Sequence, residues 1–128
     1  MKRRVLWDFP KPFFLNFAGL DAHNVTTPQE MALIARSAFE HPIISEITVL
    51  KSFTIYGKDA FGNPKVISAI NRNYSLMDFT PSAVKTGYLV EAERNVVLKK
   101  NDKIIVVMHA LSMKQRNDII NTLLRYLK

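Results

Sequence analysis

The stretch RNVVLKKNDKIIVVMHA, residues 94–110, decides the fold class of this chain. Two apolar runs flank the polar letters KKNDK, and this pattern is typical of an antiparallel β-hairpin. The second run, residues 104–108, is apolar at every position, as is expected of a strand covered on both faces. We therefore predict that this strand lies in the centre of a sheet.

The residues on either side extend the hairpin into a larger unit. AVKTGYL, residues 83–89, reads as a third strand. After the hairpin, Ser112 and Gln115 have the spacing of a capping box at the start of a helix. Behind them one apolar stripe is expected to pack on the sheet, formed by Ile119, Ile120, Leu123, Leu124 and Leu127. This order predicts an α+β fold with an antiparallel sheet and packed helices.

Two helices and a second hairpin are predicted upstream. A helix begins with Thr27 as its cap, Pro28 in its first turn and Glu30 completing a capping box. It is apolar enough to be mostly buried, and it ends before Pro42. It is followed by a short helix, PIISEITVL, and by two strands, KSFTIYG and KVISAINRN.

The chain of 128 residues has the size of one domain. Within it we expect 1–14 to be irregular, 15–80 to form helices and a hairpin, and 81–128 to form the sheet and the last helix. No apolar run reaches the roughly 20 residues of a membrane-spanning helix, so no transmembrane segment is expected. Asp8 and Pro10 interrupt the apolar run near the N-terminus, and we expect no export signal there.

The charge and the composition limit the classes of partner that the chain is expected to have. The net charge of +7 fits an anionic partner such as nucleic acid, an anionic membrane or an anionic wall polymer. The basic residues are scattered and do not alternate with aromatic residues, so we prefer a solvated basic surface and expect no nucleic acid. Cysteine is absent, which excludes disulfides. His23, His41 and His109 lie far apart without paired carboxylates, so neither a metal nor a cofactor is expected.

Lys85, Thr86 and Gly87 form a triplet with the chemistry of an acyl-transfer site. Glycine lets a substrate backbone lie against the strand. Threonine offers a hydroxyl to a substrate carboxylate, and lysine adds a positive charge over the same anion. The backbone N–H of Tyr88 can face a developing oxyanion while the substrate docks as an added strand. An ordinary surface strand containing one glycine is the alternative interpretation.

Several stretches in a fixed order carry a more specific signal than the triplet. They are NFAGLDAHNVTTPQEMALIARSAF, KSFTI, INRNYSLMD, AVKTGYLVEAERNVVL and IIVVMHALSMKQRNDIINTLLRYL. From about Phe14 to the end, their order and spacing resemble the serine D-alanyl-D-alanine carboxypeptidases, the low-molecular-mass penicillin-binding proteins. The resemblance implies a partial β-lactamase/transpeptidase-like fold, corresponding to the C-terminal portion of that family's domain.

The resemblance also implies roles for the triplet. Lys85 is expected to anchor the substrate carboxylate and to help hold the catalytic network. Thr86 is expected to hydrogen-bond the terminal D-alanine carboxylate, and Gly87 to open the cleft. The backbone N–H of Tyr88 would supply one half of the oxyanion hole.

The family's nucleophile is a serine followed by a lysine one helical turn later. Only Ser82 has a lysine three residues on, and that lysine is Lys85 itself, so we interpret Ser82 as a decoy. No Ser-x-Asn occurs in the chain. Both motifs lie upstream in the family, so we expect no nucleophile here and an incomplete domain. Asn71 and Asn73 match family positions, and a structural role is expected for them rather than a catalytic one.

Four positions depart from the family pattern. Leu89 stands where threonine is usual, and Glu93 where glycine is common in the neighbouring strand. Leu111 stands near the place from which an arginine often reaches the substrate carboxylate. Arg116 is interpreted as a surface residue in the first turn of the last helix.

The resemblance implies an enzyme that trims peptidoglycan stem peptides through a serine acyl-enzyme outside the cytoplasm. Its partners would be the peptidoglycan pentapeptide or a β-lactam, and a missing N-terminal segment of the same fold. This chain alone would be inactive. The alternative is a non-catalytic module that binds D-Ala-ended peptides or another cell-wall partner.

Overall fold

The computed structural model describes residues 12–127, and these residues form helices and antiparallel sheets. The predicted α+β fold class is confirmed. Most of the irregular segment 1–14, and the residues that argue against an export signal, lie outside the described range. The elements are α1 (Pro28–Phe39), α2 (Pro42–Val49), β1 (Ser52–Lys58), β2 (Pro64–Ile70), a 3₁₀ helix (Tyr74–Phe79), β3 (Ala83–Leu89), β4 (Glu93–Lys100), β5 (Lys103–Ala110) and α3 (Met113–Tyr126).

Strands β3, β4 and β5 form a three-stranded antiparallel sheet in that order. The expectation that β5 is central is wrong, because within residues 12–127 it pairs only with β4. It is nevertheless covered on both faces, as its apolar composition indicates, because α1 and α3 both pack against it. The main core lies on the α3 side of the sheet and consists of Leu76, Val84, Val96, Leu98, Ile105, Val107, Ala110 and Ile120.

Helix α1 begins with the predicted capping box. The Thr27 hydroxyl accepts a hydrogen bond from the backbone N–H of Glu30, and the Glu30 carboxylate accepts one from the backbone N–H of Thr27. The expectation of a mostly buried helix is wrong, because only Ala35 and Phe39 are buried and Leu33 is 61% exposed. One stripe of the helix packs on the sheet, whereas Leu33 and Ile34 are exposed.

Helix α3 places a different stripe on the sheet from the one expected. Ile120 is fully buried and Leu124 partly buried, whereas Leu123 remains 37% exposed. One helical turn before Ile120, on the same stripe, lies Arg116, which is only 5% exposed. The interpretation of Arg116 as a surface residue is therefore wrong.

Glu93 lies at the turn between β3 and β4, where the resemblance to the carboxypeptidases leads one to expect glycine. Glu93 has a φ of 52°, in the left-handed region that favours glycine. The Asn95 side chain braces this turn by donating to the carbonyls of Ala92 and Glu93, at 3.1 and 3.0 Å. The turn therefore holds a glutamate in a conformation that costs roughly 1 kcal/mol more for it than for glycine.

Replacing Glu93 with glycine is expected to stabilise the chain by about 1 kcal/mol, because it removes this left-handed strain. Urea unfolding followed by circular dichroism measures the change. Glu91→Gly is the matched control: Glu91 lies in the same turn without a positive φ, and the added backbone freedom should slightly destabilise it. Equal effects of the two substitutions would contradict the explanation.

Candidate functional site

The triplet lies at a free edge of the sheet. Among the residues described, β3 pairs with β4 on one side only. The Val84 N–H points away from β4 and donates to the Thr48 hydroxyl at 3.3 Å. Because backbone groups alternate along an antiparallel strand, the N–H groups of Thr86 and Tyr88 also face this edge. The edge therefore offers two backbone donors to an extended ligand.

The surface over Gly87 is open. A Cβ atom placed on Gly87 would meet no atom within 4 Å, so no neighbour in residues 12–127 requires a glycine there. The strand conformation does not require one either, because the φ of Gly87 is not positive. Free space above the backbone is what a ligand chain needs in order to lie against it.

Lys85 and Thr86 project to opposite faces of the sheet, as neighbours on a strand do. Lys85 is exposed on the α1 side, and its ammonium group donates to the Thr86 carbonyl at 2.5 Å. Thr86 lies on the α3 side, where its hydroxyl donates to the side-chain oxygen of Asn73. The long lysine side chain thus brings its charge to the same edge that carries the backbone donors.

Asn71 and Asn73 connect this edge to the rest of the fold. The Asn71 amide donates to the carbonyls of Thr48 and Leu50 at 3.0 and 2.8 Å, and its oxygen accepts the Asn73 N–H at 2.9 Å. Asn71 thereby holds the end of α2, and Asn73 contacts Thr86 directly. The two asparagines organise backbone, and one of them reaches the triplet.

A basic cluster lies beside the triplet on the α3 side. Arg94 stands opposite Tyr88 in the strand register, with its guanidinium 4.9 Å from the centre of the Tyr88 ring. Burial and the positive charge of Arg94 lower the pKa of Arg116. The Arg116 guanidinium donates to the side-chain oxygen of Asn117 at 3.1 and 3.2 Å. Within residues 12–127 Arg116 forms no ion pair, and Arg94 has a distant one with Glu93 at 3.9 Å.

Sequence reasoning missed this cluster, although a signal for it existed. Counting back four residues from Ile120 gives Arg116, so the arginine belongs to the stripe that faces the sheet. The family resemblance leads one to expect an arginine near Leu111, but Leu111 is 65% exposed, and the buried arginine is Arg116. A cation on the apolar stripe of a helix was the pattern to notice.

Ser82 does not meet the Lys85 ammonium. Its N–H and its hydroxyl both donate to the carbonyl of Lys99 on β4, at 2.8 and 3.3 Å. The Lys85 ammonium lies at the opposite, free edge of β3. In the described range no three histidine and carboxylate side chains gather into a metal-binding group. None of the helices there is long and apolar enough to span a membrane.

Comparison with known proteins gives a structural likeness. No protein-family model matches the chain, and no curated protein matches it in sequence. It is similar to mutants of the Streptomyces K15 DD-transpeptidase, with a TM-score of 0.70, 22% identity and coverage of 80% of this chain. A second mutant gives a TM-score of 0.71 at 22% identity over 83% of this chain. The match spans 42–43% of those proteins' length. The chain therefore shares, in part, the fold of a DD-transpeptidase.

Proposed function

We propose that this chain forms the substrate-binding wall of a D-alanyl-D-alanine carboxypeptidase-like protein that acts on peptidoglycan stem peptides outside the cytoplasm. The observation that carries the proposal is the free edge of β3. It combines outward backbone donors, open space over Gly87 and the Lys85 ammonium. A peptide ending in D-alanine would add to this edge as an extra strand.

The peptide's terminal carboxylate is the anion that the polar groups would bind. The Thr86 hydroxyl donates to Asn73 in the free protein. Turning the Asn73 amide by about 180° lets its nitrogen donate to Thr86 instead, which frees the hydroxyl proton for the carboxylate. The positive charges of Arg94 and Arg116 lie on the same side of the sheet and favour the anion.

The reaction itself needs a serine that this chain does not supply in the right geometry. In the complete site a serine oxygen would attack the carbonyl carbon of the penultimate residue. The Tyr88 N–H would stabilise the negative oxygen that forms. The C–N bond then breaks, D-alanine leaves with the proton that the serine hydroxyl lost, and water hydrolyses the ester and restores the serine. A β-lactam would follow the first of these steps, with its ring opening in place of D-alanine release.

Fluorescent penicillin is expected not to label the chain covalently, because Ser82 is hydrogen-bonded towards β4 and the Lys85 ammonium lies at the other edge. Gel electrophoresis after denaturation detects any acylated product. A penicillin-binding carboxypeptidase of known activity serves as the positive control. Labelling that disappears in Ser82→Ala would contradict our interpretation of this serine.

Thr86→Val is expected to raise the Kd for a peptide ending in D-Ala-D-Ala at least about tenfold, since a hydrogen bond to a carboxylate is lost. NMR titration of the amide signals of β3 measures the Kd. Thr54→Val is the matched control, because the Thr54 hydroxyl lies on the exposed hairpin and hydrogen-bonds to the Ser68 hydroxyl at 3.2 Å. An unchanged Kd in Thr86→Val, or equal binding of a peptide ending in L-Ala-L-Ala, would contradict the proposal.

A second candidate is a non-catalytic module that binds D-Ala-ended peptides without hydrolysing them. The favouring observation is that α1 and α3 cover the two faces of the sheet within this chain. Monomeric, cooperative unfolding together with saturable peptide binding would support this candidate. Insolubility that a co-expressed upstream segment relieves would support the enzyme.

A further inference from the structure

The β1–β2 hairpin lies outside the packed part of the molecule. Every residue of both strands is exposed, and the contacts of the hairpin are almost entirely between its own strands. A two-stranded hairpin alone is marginally stable in water. Both of its faces nevertheless carry large apolar side chains. A surface of this kind is typical of an interaction site.

The tip of the hairpin combines aromatic and basic residues. Phe61 in the loop is 89% exposed and Tyr56 is 80% exposed. Lys58 and Lys65 flank the loop, at neighbouring positions of the strand register. The single acid of residues 51–70, Asp59, is engaged in holding the loop. Its carboxylate accepts hydrogen bonds from the N–H groups of Phe61 and Asn63, at 2.8 and 2.9 Å.

We propose that this tip, residues 56–66, binds the surface of an anionic lipid bilayer. Aromatic rings are stable at the depth of the lipid headgroups, and each lysine near an anionic surface contributes about 1 kcal/mol. Interfacial segments enter to about 5–10 Å. The loop and the last two register pairs fit this depth at about 3.4 Å per residue. Water remains available there, so the unpaired edges of the hairpin stay hydrated.

Charge distinguishes the bilayer from a second copy of the chain. Three lysines and one aspartate lie in residues 51–70, and the whole chain carries a net charge of +7. Two such tips repel each other, whereas a layer of anionic headgroups attracts both. A soluble polyanion would attract the lysines equally but would gain nothing from Phe61. Dependence on both residue types is therefore the signature of a bilayer.

Vesicle sedimentation tests the proposal. The chain is expected to sediment with vesicles of equal parts phosphatidylglycerol and phosphatidylcholine, and to stay in solution with phosphatidylcholine alone. Phe61→Ser and the double variant Lys58→Glu/Lys65→Glu should each lower the partition coefficient at least about tenfold. The matched controls are Tyr126→Ser, at a site 83% exposed on α3, and Lys103→Glu/Lys114→Glu, which changes the net charge by the same amount.

Three outcomes would overturn the proposal. The first is absence of sedimentation with the anionic vesicles. The second is binding that the Lys103→Glu/Lys114→Glu control weakens as much as the tip variant does, which would indicate attraction by net charge only. The third is a dimer in analytical ultracentrifugation that Phe61→Ser dissociates, which would make a second copy the partner. Circular dichroism confirms that each variant is folded. The assay contains no peptide ligand, so its result is independent of the function proposed above.

Discussion

Leu98→Ala is expected to lower the free energy of unfolding by about 3 kcal/mol. Leu98 is fully buried on β4, the middle strand of the sheet, between Val84 and Ile105 in the register. It belongs to the same core cluster as Ile120 of α3. Truncation removes buried methyl groups and leaves a cavity that a sheet covered on both faces cannot close easily.

Urea unfolding followed by circular dichroism measures this change. Leu123→Ala makes the same chemical change on α3, where the side chain is 37% exposed, and it should cost less than about 1 kcal/mol. The total stability of a domain is about 5–15 kcal/mol, so the loss at Leu98 is a large share of it. A cost at Leu98 no larger than that at Leu123 would contradict the core described above.

Arg116→Met is expected to act in opposite directions on stability and on ligand binding. Arg116 is only 5% exposed, lies beside Arg94 and has no ion pair within residues 12–127. Methionine fills a similar volume without a buried charge, so the free energy of unfolding should rise by about 1–3 kcal/mol. A positive charge on the Thr86 side of the sheet is lost, and the Kd for a D-Ala-D-Ala peptide should rise at least about tenfold.

The same urea and NMR titrations measure both effects. Arg125→Met is the control, because Arg125 lies exposed in the last turn of α3 and should change neither quantity appreciably. A destabilised Arg116→Met variant with unchanged peptide affinity would show that the arginine serves the packing of α3. A gain in stability with a loss of affinity is the pattern of a functional residue that the fold tolerates at a cost.

Features fixed by neighbouring residues could be predicted from the sequence. The capping box at Thr27 and the hairpin around Asn101 depend on local spacing, and both form as predicted. The position of β5 and the exposure of Leu33 depend on which elements pack together, and no local pattern contains that information. β5 is apolar because α1 and α3 cover its two faces. The same composition would fit a strand with neighbouring strands at both edges, so the sequence does not say where in the sheet β5 lies.

In the candidate site, too, some features follow from the local sequence and others depend on which elements pack together. Strand alternation places Lys85 and Thr86 on opposite faces, and this follows from the sequence once β3 is assigned. The contact of Thr86 with Asn73 and the burial of Arg116 beside Arg94 join residues that are distant in the chain. The local sequence indicates only the burial of Arg116, through its helical spacing from Ile120. Because arginine is charged, the interpretation from sequence places it on the surface.

Asn71 belongs to two parts of the molecule at once. Its N–H donates to the carbonyl of Lys51 at the root of the hairpin, and its side chain positions Asn73, which holds Thr86. Three consecutive hydrogen bonds therefore join the root of the protruding hairpin to the Thr86 hydroxyl. The same chain of hydrogen bonds connects the hairpin proposed to bind lipid with the strand edge proposed to bind a wall peptide.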